Sequence, residues 1–191
     1  LGRDSVTAVF FGEGAMAEGE FHDALNLAAL WEVPVVFCCE NNRYAMGTSL
    51  ASSESEPDLA LKAASYHVPA WAVDGMDVRA VREQAGRAVA MARGGGPVFL
   101  ELQTYRFRAH SMFDPDRYRS REEVEHWRER DPIETFSADL FARGVLDEAA
   151  RAAIDAEAAA EVEDAVAFAD ASEWEPVENL GRHVYRREVV R

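Results

Sequence analysis

Oxygen-bearing groups follow two successive apolar segments near the start of the chain. Glu13 lies in a glycine-rich turn after the segment TAVFF, and Asn42 follows the segment VVFCC. A carboxylate, an amide oxygen and the backbone carbonyl of Tyr44 form a ligand set suited to Mg²⁺, which takes few protein oxygens and shares its shell with water and phosphate. Gly12 and Gly14 leave backbone N–H groups accessible to an anion. The pattern predicts a diphosphate held through a divalent cation.

The simpler interpretation of each half alone is structural, with Glu13 as an acidic turn residue and Asn42 as the end of a strand. The two halves are separated by one segment with helical spacing, in which apolar residues recur from Phe21 to Trp31. A strand, a crossover helix and a parallel strand bring both oxygen-bearing ends to the same edge of a sheet. The combination therefore favours the cation site over two unrelated turns.

The elements that position these residues alternate between helices and short apolar strands. Helical spacing recurs at 57–67 and again from Asp77, which can cap a helix running to about Arg93. Apolar strands are predicted at 69–73 and 97–104. This alternation predicts a doubly wound, mostly parallel α/β sheet with its ligand at the carboxyl ends of the strands.

The last third of the chain has a different pattern. A polar, arginine-rich loop at 105–119 is followed by the capping-box pair Ser120 and Glu123, by a second helix start at Asp131, and by a long helix from Asp147 to about residue 169. We predict two regions. Residues 1–119 form the binding part of the α/β domain with its loop, and residues 120–191 form a helical extension that packs on it or on a partner subunit.

Composition limits the function classes. The 191 residues carry a net charge of −15, which disfavours nucleic acid and anionic membranes as partners. Cys38 and Cys39 are neighbours in a strand, where their side chains point to opposite faces, so reduced core thiols are expected. No apolar stretch is long enough to span a bilayer, and no signal sequence is present, which predicts a cytoplasmic protein. Because a core strand begins close to Leu1, we expect a piece of a longer polypeptide.

The run GEGAMAEGEFHDALNLAALWEVPVVFCCENNRYAMGTS, residues 12–49, resembles the thiamine-diphosphate motif of the α subunit of E1 components of 2-oxo acid dehydrogenase complexes. The resemblance continues through VDGMDV, ELQTYRFRAHSMFDPDRYR and REEVEHWRERDPI, and it covers nearly the whole chain as the C-terminal portion of such a subunit. The pyruvate dehydrogenase branch is the most similar. The resemblance implies the thiamine-diphosphate-binding, transketolase-like fold.

The resemblance also assigns roles to residues. It implies that Glu13, Asn42 and the carbonyl of Tyr44 hold Mg²⁺ against thiamine diphosphate. The residues that it places at the cofactor are Gly12, Glu13, Gly14, Ala15, Asn42, Tyr44, Arg106 and His110. Gly14 and Ala15 would offer backbone contacts at the start of a helix, where the helix dipole favours phosphate.

Two residues of the loop have competing interpretations. By residue type alone, His110 is a solvated loop histidine, but its context HSM-x-DP matches the family and implies a catalytic imidazole that donates a hydrogen bond or a proton. Arg106 pairs with phosphate, holds the loop, or forms a surface salt bridge. Ser111 matches a serine that is phosphorylated in some relatives.

The implied activity is oxidative decarboxylation of pyruvate with thiamine diphosphate and transfer of the acetyl group to the lipoyl domain of E2. The implied assembly is an α2β2 heterotetramer that is active only with its β subunit. Many pyruvate-type members have Asp at the position of Glu13, so a branched-chain 2-oxo acid dehydrogenase or an acetoin dehydrogenase is an alternative. A structural fragment that binds no cofactor is the non-enzymatic alternative.

Overall fold

The structure of the chain, a computed structural model, describes residues 4–182 and 184. Its strands are β1 (Thr7–Gly12), β2 (Val35–Asn41), β3 (Tyr44–Ala45), β4 (Thr48–Ser49), β5 (Ala70–Asp74) and β6 (Val98–Gln103). Its α-helices are α1 (Gly19–Leu30), α2 (Leu50–Ser53), α3 (Leu59–Ala64), α4 (Val78–Arg93), α5 (Arg121–Arg128), α6 (Pro132–Ala142) and α7 (Glu148–Ala171). Two short 3-10 helices cover Glu13–Ala17 and Val177–Asn179.

Four strands form one parallel sheet in the order β1-β2-β6-β5. In its register, Gly12 pairs with Glu40, and Asn41 and Asp74 both pair with Gln103. The carboxyl ends of these strands therefore lie along one edge. The predicted parallel α/β sheet is confirmed.

Helices cover both faces of this sheet, as a doubly wound fold requires. On one face, Phe37, Cys39 and Phe99 pack with buried residues of α1 and α3. On the other face, Cys38 and Leu100 pack with Ala88 and Ala92 of α4. Phe99 is fully buried, which stabilises the fold by about 1.5–3 kcal/mol relative to an exposed ring.

The adjacent cysteines follow the alternation of β2 and lie in separate core clusters on opposite faces. Both are free thiols. Burial raises the pKa of both, and the pKa of Cys39 is raised further by the carboxylates of Glu101 and Glu13. The predicted reduced core thiols are confirmed.

Side-chain caps set three of the helix starts where the sequence predicts them. Asp77 accepts from the N–H groups of Arg79 and Ala80 at the start of α4. Ser120 caps α5 and Asp147 caps α7 in the same way. Each cap gives a hydrogen-bond acceptor to a backbone N–H that has no partner within the helix, which typically stabilises the protein by about 1 kcal/mol.

The chain divides into two compact units, Leu1–Asp139 and Leu140–Arg191. The first contains the sheet, α5 and most of α6. The second contains α7, whose apolar residues, among them Val162 and Phe168, are exposed. The predicted division after residue 119, and the packing of 120–191 on the domain or on a partner, stay predictions. None of the helices in the described part of the chain is long and apolar enough to cross a membrane.

Candidate cation and cofactor site

Glu13 is a buried carboxylate directly after β1, at the first residue of the 3-10 helix Glu13–Ala17. Only 2% of the residue is exposed. Its Oε2 accepts from the backbone N–H of Asn42 at 3.2 Å, whereas its Oε1 is buried without a hydrogen-bond partner. A buried carboxylate oxygen without a partner is costly, and a hydrogen-bond donor or a cation bound at Oε1 would remove that cost.

The other two predicted metal ligands lie in the turn that follows β2. The side-chain oxygen of Asn42 accepts from the N–H of Tyr44 at 3.3 Å, and Arg43 between them has a φ of 75°. The carbonyl of Tyr44 accepts from the guanidinium of Arg106 at 3.2 Å. An amide or carbonyl oxygen has two lone pairs, so each of these oxygens keeps one for a cation.

The donor set of Glu13, Asn42 and Tyr44 fits a hard cation with few protein contacts. Within residues 4–182 and 184, no three His, Cys, Asp or Glu side chains come together as a metal cluster. A cation held by one carboxylate, one amide and one carbonyl needs further oxygens from phosphate and water, which is how Mg²⁺ is usually bound. The residues present therefore fit Mg²⁺ with a diphosphate.

The backbone around Gly14 is tightly packed. A Cβ built on Gly14 would lie 2.5 Å from the Cβ of Ala45 in the β3–β4 hairpin, so only glycine fits there. The expected α-helix at Gly14 and Ala15 is wrong: these residues lie in a five-residue 3-10 helix, and α1 begins at Gly19. The dipole of a full α-helix therefore does not act at Gly14.

Arg106 connects the loop at 105–119 to the turn at 41–44, which we call the cation turn. Besides the Tyr44 carbonyl, its guanidinium donates to the carbonyl of Met46 at 2.7 Å and to the hydroxyl of Tyr118 at 2.9 Å. These neutral acceptors match the loop-holding interpretation, and no ion pair of Arg106 occurs among the described residues. Contact with phosphate stays a prediction.

His110 is exposed on the loop, and Asp114 fixes its backbone. Asp114 accepts from the N–H groups of His110 and Asp116 and from the hydroxyl of Tyr118, each at 2.9 Å. The hydrogen bonds from Asp116 and His110 lower the pKa of Asp114. Through Tyr118 and Arg106, the His110 loop is thus continuous with the turn that carries Asn42.

Glu123 joins the cation turn to α5. Its carboxylate, which a capping box would use to accept from Ser120, accepts instead from the hydroxyls of Tyr44 at 3.0 Å and Tyr105 at 2.9 Å. Burial and the hydrogen bond to Glu123 raise the pKa of Tyr105 to about 12, and the same two causes raise the pKa of Tyr44. The indole of Trp127 stacks on Tyr105 with ring centroids 5.1 Å apart.

The residues that position the ligands carry little signal in the sequence. Asp114 and Tyr118 stand inside the loop motif, but only their hydrogen bonds distinguish them from solvated residues. Glu101 left a clearer signal, because it is a charge within the otherwise apolar segment PVFLEL. Only 2% of Glu101 is exposed.

The fold is a doubly wound α/β sheet with a candidate cation site at its carboxyl edge, and comparison with known proteins gives the family. Residues 1–178 match the family model described as "Dehydrogenase E1 component". The chain belongs to this family.

Three similar curated proteins are named as alpha subunits of a pyruvate dehydrogenase E1 component. The chain is 46% identical over 177 residues to a pyruvate dehydrogenase E1 component subunit alpha of Rhizobium meliloti, covering 92% of this chain and 51% of that protein. It is 46% identical over 166 residues to the subunit of that name in Zymomonas mobilis, covering 86% and 47%. It is 42% identical over 187 residues to the somatic mitochondrial form of Homo sapiens, covering 96% and 47%. The chain spans about half the length of the curated relatives that it matches.

Proposed function

We propose that this chain is part of the α subunit of a pyruvate dehydrogenase E1 component. The proposed activity is oxidative decarboxylation of pyruvate with thiamine diphosphate and Mg²⁺, followed by transfer of the acetyl group to the lipoyl domain of E2. The observation that carries the proposal is the buried, unpartnered Oε1 of Glu13, held beside Asn42 at the carboxyl edge of the sheet. Family membership and the names of the relatives support it.

The residues of this chain would have two roles at the cofactor, binding the cation and contacting the diphosphate. Glu13, Asn42 and the Tyr44 carbonyl would hold Mg²⁺, while Gly12, Gly14 and Ala15 would offer backbone contacts to the diphosphate. A Cβ on Gly12 would meet no atom within 4 Å, so the backbone is open there. When bound, thiamine diphosphate supplies the electron sink for decarboxylation.

His110 would serve at the substrate side of the site. Its loop position leaves the imidazole exposed, with only the backbone fixed by Asp114. An imidazole near neutrality can donate a hydrogen bond or a proton to a substrate oxygen. Arg106 would hold this loop against the cation turn, so that the proton donor and the metal ligands keep one geometry.

The site needs a second chain in this proposal. An E1 β subunit would complete an α2β2 heterotetramer with the cofactor between α and β, and the complex would be active only when assembled. The cytoplasm is the proposed location, on the sequence pattern alone.

Calorimetry of the assembled α/β complex tests the cofactor assignment. Wild type should bind thiamine diphosphate with MgCl₂ and lose that binding with EDTA, and Asn42→Ala should bind far more weakly because it lacks the amide oxygen. Asn26→Ala, an exposed asparagine of α1, is the matched control and should bind like wild type. The assignment would be refuted if the wild-type complex bound thiamine diphosphate equally well with EDTA, or did not bind it at all.

A turnover assay of the same complex with an artificial electron acceptor tests the substrate, because such an assay also detects acetoin, which has no carboxylate to lose. We expect pyruvate to be preferred over 2-oxoisovalerate and acetoin. A preference for 2-oxoisovalerate would instead support the branched-chain alternative, which Glu13 favours, and a preference for acetoin would support an acetoin dehydrogenase.

A further inference from the structure

A second buried carboxylate, Glu101 of β6, lies two strands away from the end of β1 that carries Glu13, and it is not one of the proposed metal ligands. Glu101 pairs in register with Cys39, on the sheet face that carries Phe37 and Phe99. Isolated charges are rarely buried on such a face, because an apolar residue of similar volume is often equally or more stabilising. We therefore expect Glu101 to have a role other than stabilising the core.

Glu101 contacts the cation turn through one residue. Its Oε1 accepts from Nδ2 of Asn41 at 2.7 Å and from the side-chain amide of Gln103 at 3.3 Å. Asn41 is itself buried, and its Oδ1 accepts from the N–H of Arg43 at 3.0 Å. The backbone carbonyl of Asn41 accepts from Thr104 at 2.9 Å. Each side-chain group of Asn41 thus has one partner.

The Asn41 amide is held from both ends. The N–H of Arg43 can only donate, so Oδ1 faces it, and Nδ2 then donates to Oε1 of Glu101. That orientation supports the left-handed conformation of Arg43, whose φ of 75° is uncommon for a non-glycine residue. The cation turn positions the side chain of Asn42 and the carbonyl of Tyr44.

We propose that Glu101 is a positioning residue of the cation site, which orients the Asn41 amide and thereby the turn that carries two of the three metal ligands. The inference rests on the proposed function, since it assumes that Glu13, Asn42 and Tyr44 bind a cation. Glu101 contacts neither the cation nor the substrate in this proposal. It acts through Asn41 alone.

The test variant is Glu101→Gln in the assembled complex of the complete α polypeptide with its β subunit. Glutamine keeps the volume and one acceptor oxygen, but its amide oxygen is a weaker acceptor than a carboxylate and its amide NH₂ also donates, so Nδ2 of Asn41 is held less firmly. Partners of metal ligands typically change affinity by roughly 10- to 100-fold. We expect the affinity for Mg²⁺ in the presence of thiamine diphosphate to fall by about 10-fold or more, measured by calorimetry.

The unfolding temperature of the Glu101→Gln complex should not fall together with its Mg²⁺ affinity. Because Glu101→Gln removes a buried charge, we expect an equal or higher unfolding temperature together with the weaker cation binding. Cys39→Ala is the matched control, since it removes a buried side chain at the position paired with Glu101. It should lower the unfolding temperature and leave Mg²⁺ affinity unchanged. A purely structural role predicts that affinity and stability fall together in both variants.

A double-mutant cycle separates positioning from direct attraction between Glu101 and the cation. In an Asn41→Ala background, Glu101→Gln should have no further effect on Mg²⁺ affinity if Glu101 acts through Asn41. An undiminished effect in that background would overturn the proposal, as would wild-type affinity of the single variant. If Glu101→Gln does not fold, Asn41→Ser shortens the side chain and breaks the hydrogen bond to Glu101, and it must by itself weaken Mg²⁺ binding.

The two hypotheses fail differently. If the wild-type complex shows no metal-dependent binding of thiamine diphosphate, the proposed function fails. If wild type binds and the cycle is additive, only the positioning role fails.

Discussion

The cation turn, residues 41–44, and the His110 loop, residues 105–119, both serve the proposed site but are held in different ways. Buried groups of Glu13 and Glu101 hold the turn from two sides. The loop depends on Asp114, which is only partly buried, and its tip at Met112 and Phe113 is almost fully exposed. The hydrogen bond from Asn41 to Glu101 is buried, whereas the hydrogen bond from the His110 N–H to Asp114 is exposed to water. The comparison indicates a metal-holding half that is formed before any ligand arrives and a substrate-side half that opens easily.

The largest effect is expected at the turn. Glu13→Gln removes the charge at the buried, unpartnered Oε1, so metal-dependent binding of thiamine diphosphate should weaken by more than about 100-fold, beyond the usual effect of outer-shell partners. Calorimetry of the assembled complex measures this loss. Glu18→Gln, an exposed glutamate close by, should bind like wild type. Retained affinity in Glu13→Gln would show that the turn is not the metal-holding half.

The next effect is expected where the two regions meet. Arg106→Lys keeps the charge but loses the planar fork that contacts Tyr44, Met46 and Tyr118. Losing one hydrogen bond of a charged donor costs about 1.5–3 kcal/mol, so we expect kcat to fall by roughly 10-fold or more. Steady-state assays check this, with the exposed Arg117→Lys as control. An unchanged kcat would mean that the loop does not need its connection to the turn.

A smaller effect is expected within the loop. Asp114→Asn weakens the hydrogen bonds to the His110 and Asp116 N–H groups without touching the turn. We expect a several-fold lower kcat, faster amide exchange at His110 and an unchanged affinity for thiamine diphosphate with Mg²⁺. A weaker cofactor affinity would contradict the separation between the two regions.

The smallest effect is expected in the pH dependence of the His110 loop, which contains both Asp114 and Tyr105. The pKa of Asp114 is lowered by its backbone hydrogen bonds, so its stabilisation is complete above its unfolded pKa of about 3.9 and is lost as the pH falls through the lower folded value. The pKa of Tyr105 is raised to about 12, so its stabilisation is complete below its unfolded pKa of about 10 and is lost as the pH rises towards 12.

Tyrosinate absorbance and amide exchange test this window. The loop should stay ordered between about pH 4 and 10. Tyr105→Phe should remove the latest step of the alkaline absorbance titration and leave the acid limit of the loop unchanged. A loop that loses order near neutral pH would refute the prediction.

The sequence predicted the sheet, the helix starts and the residues at the carboxyl edge because these depend on local patterns. Apolar runs define β2 and β6, and the caps Asp77 and Asp147 stand within four residues of the groups that they bind. The β3–β4 hairpin was missed, because two-residue strands are too short to show alternation. The 3-10 helix at Gly14 was mistaken for the start of α1, since a glycine-rich turn does not reveal which hydrogen-bond pattern it adopts.

The positioning groups could not be predicted for a different reason. Asn41 and Glu101 are 60 residues apart, and their contact follows only from the pairing of β2 with β6. Glu123 has the spacing of a capping box with Ser120, yet its carboxylate binds the hydroxyls of Tyr44 and Tyr105. The local spacing predicts a hydrogen bond from the backbone of Ser120 to Glu123, but tertiary packing brings the two tyrosine hydroxyls to that carboxylate instead.

The two free thiols have a practical consequence for measuring the loop. Cys38 and Cys39 are buried with raised pKa values, and alkylating reagents need an exposed thiolate. A cysteine introduced in place of the exposed Phe113 would therefore be the one readily labelled thiol of this chain. A fluorophore or spin label there would report the position of the loop tip in the native protein, without first replacing either natural cysteine.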